Sequence, residues 1–476
     1  MSHKVTMTKV REKTSSQRRL EAKPDLLRQL GIVSATALVI SNMVGTGIFT
    51  STGFLAGDLG EAWIVVGIWA VGAVIALAGA LCYSELGINL PASGGEYVYL
   101  TRAYGPTWGF MTGWISFFAG FSAPIAAAAI GCADYLGHFW PALRQDQTFI
   151  TLGSGALSFK IGGGQLAASG LILLFTVLNL FGVSRIAKIQ NVLTAIKLLV
   201  IIAFVVLAFA AGTGNWAHFS QPATRTSQSS LPIQFALSLF WVYVGYSGWN
   251  AATYVAEELK RPERTLPIAL ALGTVVVAVL YAALNVVFIY STPLDEMKGV
   301  VAVGSLAARN LFGPEIAGTF SALMALSLVA TVSAMVTIGP RVYYAMAKNG
   351  AFVKAAARVH PRWHTPVFAI VCQGCIAVLM TLTPFRDLVT YIGFTLTLFA
   401  VLAVASLFVF RRQPGWQKTS VISFAWPLIP VLFILVGTWT LVVGLSVQPR
   451  VSLTGLATVA VGALVYHFRI RPGRNV

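Results

Sequence analysis

Charge is what this sequence has least of. Only 10% of its 476 residues are charged, and just 16 are acidic against 33 Lys and Arg. Soluble domains carry roughly 25% charged residues. This chain is 57% hydrophobic, with a mean hydropathy of +0.76, more apolar side chain than a soluble fold can bury. Cysteine is scarce too. Cys82, Cys132, Cys372 and Cys375 all fall in apolar runs, which argues against a disulfide framework and for small core residues. The C-x-x-C at 372–375 has no nearby His or further Cys, so a metal site is not expected. Walker loops, nucleophile elbows and H-E-x-x-H are absent, so nothing suggests an enzyme or a cofactor. No turn-punctuated, period-two pattern suggests a barrel.

The sequence is instead a series of apolar runs of about 20 residues, the length that crosses a bilayer core. They lie at 30–56, 62–88, 104–137, 165–183, 187–211, 231–256, 266–291, 316–347, 366–382, 386–410, 422–446 and 452–469. The expectation is an all-α polytopic membrane protein with twelve spans. The first 29 residues are polar and basic, and the run after them is too long for a signal-peptide core, so it reads as a retained span. Twenty-five of the 33 Lys and Arg fall on the side of the N-terminus, seven on the other, and Lys197 on neither. Positive-inside bias then places both termini in the cytosol. The net charge of +17 sits at membrane edges, where anionic lipid accounts for it without a nucleic acid.

Two spans carry an interruption. The first contains Gly45-Thr46-Gly47, and the sixth contains Gly245-Tyr246-Ser247-Gly248. Each opens a group of five spans, 30–211 and 231–410, with 422–469 as two further spans and 1–29 and 470–476 as tails. Glycine-broken segments at corresponding positions point to an inverted-repeat transporter with its site between them. Either stretch alone also reads as a small-residue packing face. An unwound helix frees backbone groups that must face protein or a wet cavity. The half-helix ending near Met43 and Val44 offers carbonyls; the one starting after Gly45 offers N–H groups and the positive dipole end. A zwitterion suits both, with its ammonium on the carbonyls of Met43 and Val244 and its carboxylate on the amides of Thr46 and Gly47. An amino acid is therefore the expected ligand, and a neutral one, because no acidic side chain lies in either break.

Lys197 stands deep in an apolar span. An ammonium there costs several kcal/mol and lies too far from the helix end to snorkel, so it should face the bundle interior. Glu85 is expected to pair with a cytosolic arginine such as Arg341. Glu257 and Glu258 face Lys260, Arg261 and Arg264 across a short loop and read as a solvated turn.

The stretches "VGTGIF" (44–49), "CYSELGINLPASGGEYVYLTRAYGP" (82–106), "GYSGWN" (245–250), "EELKRPERTLP" (257–267) and "GPRVYYAMAKNG" (339–350) resemble the amino acid–polyamine–organocation superfamily, in particular its L-type amino acid transporter branch. The resemblance runs from about residue 28 to 410. It implies a LeuT-like five-plus-five inverted repeat with two helices appended. It carries substrate contacts onto Met43, Gly45, Thr46, Gly47, Val244, Gly245, Tyr246, Ser247, Gly248, Trp249 and Asn250. Val244 stands where many L-type members have an aromatic gate, leaving Tyr243 or Tyr246 as the lid. The resemblance makes Lys197 a fixed cation where sodium-coupled members hold Na⁺, bridging the carbonyls before Gly45 to Thr331 or Ser333. The implied function is sodium-independent transport of L-amino acids across the cell membrane, by exchange or proton coupling. A cationic amino acid or polyamine carrier and a non-transporting sensor are the alternatives. L-type relatives join a heavy chain through a cysteine in the third external connection; residues 138–164 have none, so no disulfide-linked heavy chain is expected.

Overall fold

The computed structural model describes residues 30–91, 94–152, 159–181, 184–348, 350–363 and 365–470, except the side chains of 184–194, 257, 345, 469 and 470. The tails 1–29 and 471–476, and the side chain of Glu257, lie outside the described residues.

The first apolar run becomes three helical pieces, α1 (Ile32–Met43), α2 (Thr46–Thr50) and α3 (Thr52–Leu59). A long helix, α4 (Ala62–Asn89), leads to the short α5 (Glu96–Tyr104). The third run is α6 (Pro106–Ile115), a π-helical stretch Ser116–Ser122 and α7 (Ala123–Leu136). Pro124 has no N–H to give to the carbonyl one turn back, and a wide turn absorbs that loss. An antiparallel hairpin, β1 (Thr148–Leu152) with β2 (Phe159–Gly162), follows. The sequence pattern gave no sign of these strands.

Next come α8 (Gly163–Leu180), α9 (Ser184–Ala211) and α10 (Leu231–Tyr246), which ends in a turn and a 3₁₀ stretch, Ala251–Glu258. After them run α11 (Pro262–Ser291), α12 (Leu294–Met297), α13 (Val303–Phe312) and α14 (Pro314–Lys348). The chain closes with α15 (Val367–Met380), α16 (Phe385–Phe410), α17 (Ser420–Phe424), α18 (Leu428–Val447) and α19 (Pro449–Val465).

Among the described residues, nine helical segments are long and apolar enough to span a bilayer, and Ala195–Ala211 and Val367–Met380 are shorter apolar helices. The sixth run falls short because α10 stops at the break after Tyr246. The helices match the hydropathic runs closely, and this is a polytopic helical membrane protein. α11 lies against both α1 and α4, and α7 against α14.

Four cysteines are free; Cys82 and Cys132 are buried as expected, but Cys375 is exposed on α15 and Cys372 only half-buried. The i, i+3 spacing turns that pair toward the outside of the bundle. Glu85 pairs not with Arg341 but with Arg411, at the end of α16, which donates to both carboxylate oxygens at 2.6 Å. The indole of Trp416 (2.9 Å) and the amide and hydroxyl of Thr419 (3.0 and 2.9 Å) complete the shell around this fully buried carboxylate. The loop after α16 folds back over the end of α4 and brings these donors with it.

Candidate functional site

The first break spans two residues. α1 ends at Met43, Val44 turns out of the helix (φ −73°, ψ 90°), Gly45 is extended, and α2 restarts at Thr46. The carbonyls left at the end of α1 find side chains. Lys197 Nζ donates to the Val44 carbonyl. The hydroxyl of Tyr281 on α11 shares its proton between the carbonyls of Met43 (2.6 Å) and Gly245 (3.0 Å).

The second break lies slightly later than the glycines of α10 suggest. α10 runs through Gly245 to Tyr246, and the chain turns at Ser247–Asn250. Ser247 caps the helix, its amide (3.2 Å) and hydroxyl (2.8 Å) both donating to the Val244 carbonyl. Gly248 has φ +101°, and a Cβ there would come within 2.8 Å of the Asn42 carbonyl. Glycine is required on both counts.

The two broken helices touch at Gly47 and Gly245. A Cβ on Gly47 would lie 2.3 Å from the Gly245 Cα. Gly45 belongs to the break, whereas Gly47 is a packing notch. A second link joins the other ends: the Leu30 amide donates to the Glu258 carbonyl (3.0 Å), and the Lys260 amide donates to the Leu30 carbonyl (2.8 Å).

Beside the breaks lies a cavity of about 870 Å³ that extends from Val44 back along α1 to Leu30. Of the residues singled out from the sequence, Lys197, Ser247, Gly248, Trp249, Asn250 and Thr331 line it. Met43, Gly45, Thr46, Gly47, Val244, Gly245, Tyr246 and Ser333 stand outside that lining. Tyr246 is buried with its hydroxyl on the Trp69 carbonyl (3.0 Å), while Tyr243 is on the cavity wall. Of the two candidate lids, Tyr243 is the one that faces the cavity.

Lys197 is 4% exposed and, among the described residues, makes no ion pair. Its hydrogen bond goes to the Val44 carbonyl and not to α14. The Thr331 hydroxyl returns to its own helix at the Ser327 carbonyl (3.2 Å), and the carbonyl of Ser333 accepts from Thr337 (2.7 Å).

Beyond the breaks the structure is shut. Arg386, at the start of α16, donates to both oxygens of the buried Asp58 on α3 (2.7 and 2.6 Å). The Thr52 hydroxyl donates to Asn285 on α11 (2.8 Å), and Tyr135 on α7 donates to the Phe49 carbonyl (3.0 Å). Among the described residues, the cavity opens on the side of Leu30.

One carboxylate on the wall was missed. Glu96 begins α5 and lines the cavity, although the breaks themselves contain no acid. Its Oε1 accepts from the hydroxyl of Tyr83 (2.9 Å) and the amide of Asn250 (2.8 Å), and its Oε2 from the hydroxyl of Tyr254 (3.1 Å). Burial pushes its carboxyl above the usual carboxylate range, and the three donors only partly offset this. The quoted stretch "SGGEY" contains the residue, but no spacing in it points to a cavity.

Comparison with known proteins gives the family. The chain is 28% identical over 452 residues to the large neutral amino acids transporter small subunit 2 of Rattus norvegicus, covering 93% of this chain and 80% of that one. It is 28% identical over 449 residues to the serine/threonine exchanger SteT of Bacillus subtilis, covering 90% and 96%. The b(0,+)-type amino acid transporter 1 of Mus musculus is 25% identical over 452 residues, covering 93% and 88%. A family model described as amino acid permease matches residues 30–464, from the residues leading into α1 to the last turn of α19. The chain belongs to this amino acid permease family, within the amino acid–polyamine–organocation superfamily.

Proposed function

We propose that the chain is a sodium-independent secondary transporter of L-amino acids, neutral ones foremost, working by alternating access. Twelve spans form two inverted groups of five, 30–211 and 231–410, with 422–469 as two further helices and both termini in the cytosol of a cell-membrane protein. The cavity then faces the cytosol, and α1, α4, α10 and α11 are the elements that rock. The substrate carboxylate meets the amides that open α2, at Thr46 and Gly47, and the ammonium meets carbonyls of the breaks. The Val244 carbonyl accepts both donors of Ser247, and that of Met43 accepts from Tyr281, so substrate binding exchanges hydrogen bonds at those acceptors. The relatives named for neutral amino acids support the substrate class.

One observation carries this reading: a lysine ammonium, buried with no carboxylate partner among the described residues, sits on the carbonyl at the first break, supplying a fixed cation beside the site. No heavy chain is linked by disulfide, since residues 138–164 contain no cysteine. The test is uptake of labelled amino acids into proteoliposomes, with and without internal amino acid, Na⁺ and a pH gradient. Uptake of leucine or serine without Na⁺ supports the proposal. An absolute need for Na⁺ contradicts it. Competition by arginine or agmatine, with leucine inert, overturns the neutral class in favour of a cationic one.

A further inference from the structure

Glu96 is set in place by two glycines. Gly94 (φ +126°) and Gly95 (φ +50°) turn the chain sharply before α5, and a Cβ on Gly95 would lie 2.8 Å from the ring of Tyr254. That close approach presses the start of α5 against the 3₁₀ stretch that follows the second break. The Glu96 carboxylate consequently bonds Asn250, two residues beyond Gly248.

Every partner of that carboxylate among the described residues is neutral. The donors are Tyr83 from α4, Asn250 from the turn after α10 and Tyr254 from the 3₁₀ stretch; Tyr99 of α5 itself and Tyr243 of α10 stand near. Among the described residues it makes no ion pair. Among the described residues, the one cationic side chain on the cavity wall is Lys197, and that ammonium is held at Val44. A carboxylate has room for about four donors, and three are supplied. An anion in a partly desolvated cavity is costly without a counter-charge. The wall thus offers a carboxylate, two hydroxyls and an amide to a cation that comes and goes, and such a cation favours the ionised carboxylate.

We propose that Glu96, with Asn250 and Tyr254, is a cation-accepting subsite of the cavity, which receives a primary ammonium or guanidinium group passing between the second break and the mouth at Leu30. It rests on the transport reading and adds a station to it. A neutral amino acid presents its α-ammonium there on the way out. An amino acid with a cationic side chain presents either charge, so lysine and arginine reach this wall from the cavity side.

Two measurements test it, on wild type, Glu96→Gln and Glu96→Asp. The first is uptake of labelled leucine or serine by the face that exposes the cavity, with L-lysine as competitor. Loss of the charge is expected to raise KM and the lysine inhibition constant about tenfold, the scale of one lost charge-assisted contact, with Vmax little changed. Glu96→Asp, which keeps the charge, should stay near wild type. A purely structural role would lower Vmax or yield without this split. The second needs no transport: thermal unfolding of detergent-purified protein with n-butylammonium chloride against NaCl at equal ionic strength. The amine should stabilise wild type and Glu96→Asp but not Glu96→Gln. Equal responses of wild type and Glu96→Gln in both measurements overturn the subsite. A wild type that takes up no amino acid, yet shows the amine response, overturns the transport reading and leaves the cation site standing.

Discussion

Gly47 and Gly245 meet backbone to backbone, so closely that a methyl group on Gly47 would lie 2.3 Å from the Gly245 Cα. The two interrupted helices are thereby held against each other at the point where both come apart. Gly47→Ala should cost about 1–3 kcal/mol from overpacking and abolish uptake. Gly67→Ala, on α4 with open space around its Cβ position, should leave both near wild type. Thermal unfolding and proteoliposome uptake of the two variants check this.

The Glu85–Arg411 pair is nearly inaccessible to water, 0% and 7% exposed at the side chains. Arg411→Met should destabilise by about 3–5 kcal/mol, because it leaves a buried carboxylate unpaired. Adding Glu85→Gln should recover much of the loss. A double-mutant cycle of unfolding temperatures reads this directly, and additive effects would show that the pair is not coupled.

These two contacts show how much the sequence discloses. Gly45-Thr46-Gly47 marked the first break to within a residue, because its counterpart in the sixth span favoured a break over a packing face. In the second, Gly245 proved to be packing and Gly248 the turn, since only a backbone conformation tells a notch from a positive φ. Glu85 was legible as a carboxylate needing an arginine. Its partner was not, because Arg411, at the end of α16, lies more than three hundred residues away in sequence and only packing brings it to α4. Glu96 was hidden for the same reason: its place on the cavity wall depends on Tyr83, Asn250 and Tyr254, which only packing brings together. Cys375 was misassigned because hydropathy does not distinguish a lipid-facing position from a core one.

The pH dependence of stability follows from Glu96. Its carboxyl is raised in the folded protein, chiefly by burial, so the folded state binds a proton more readily than the unfolded chain. Its contribution to stability is then full below the unfolded-state value and is lost as pH rises through the folded-state value. Wild type should lose unfolding temperature, relative to Glu96→Gln, as pH rises above the ordinary glutamate value of about 4. Parallel curves for the two proteins above that pH would contradict the assignment.

The far side of the cavity depends on Asp58 and Arg386. Arg386→Gln should uncover the breaks to that side by leaving the buried Asp58 without its bidentate partner. A cysteine at Thr46 is expected to react faster with a membrane-impermeant thiol reagent from that side in the Arg386→Gln background. Equal rates would show that the pair does not hold the far side shut.

The central claim is that the Lys197 ammonium, bonded to the carbonyl at the first break, stands in for a coupling ion. Sodium-free counterflow of a labelled neutral amino acid by wild type and Lys197→Ala, reconstituted at equal amounts of folded protein, tests it most directly. Robust counterflow by wild type and its loss in Lys197→Ala is the predicted result. Wild-type counterflow by the variant, or none by wild type until Na⁺ is added, would contradict it.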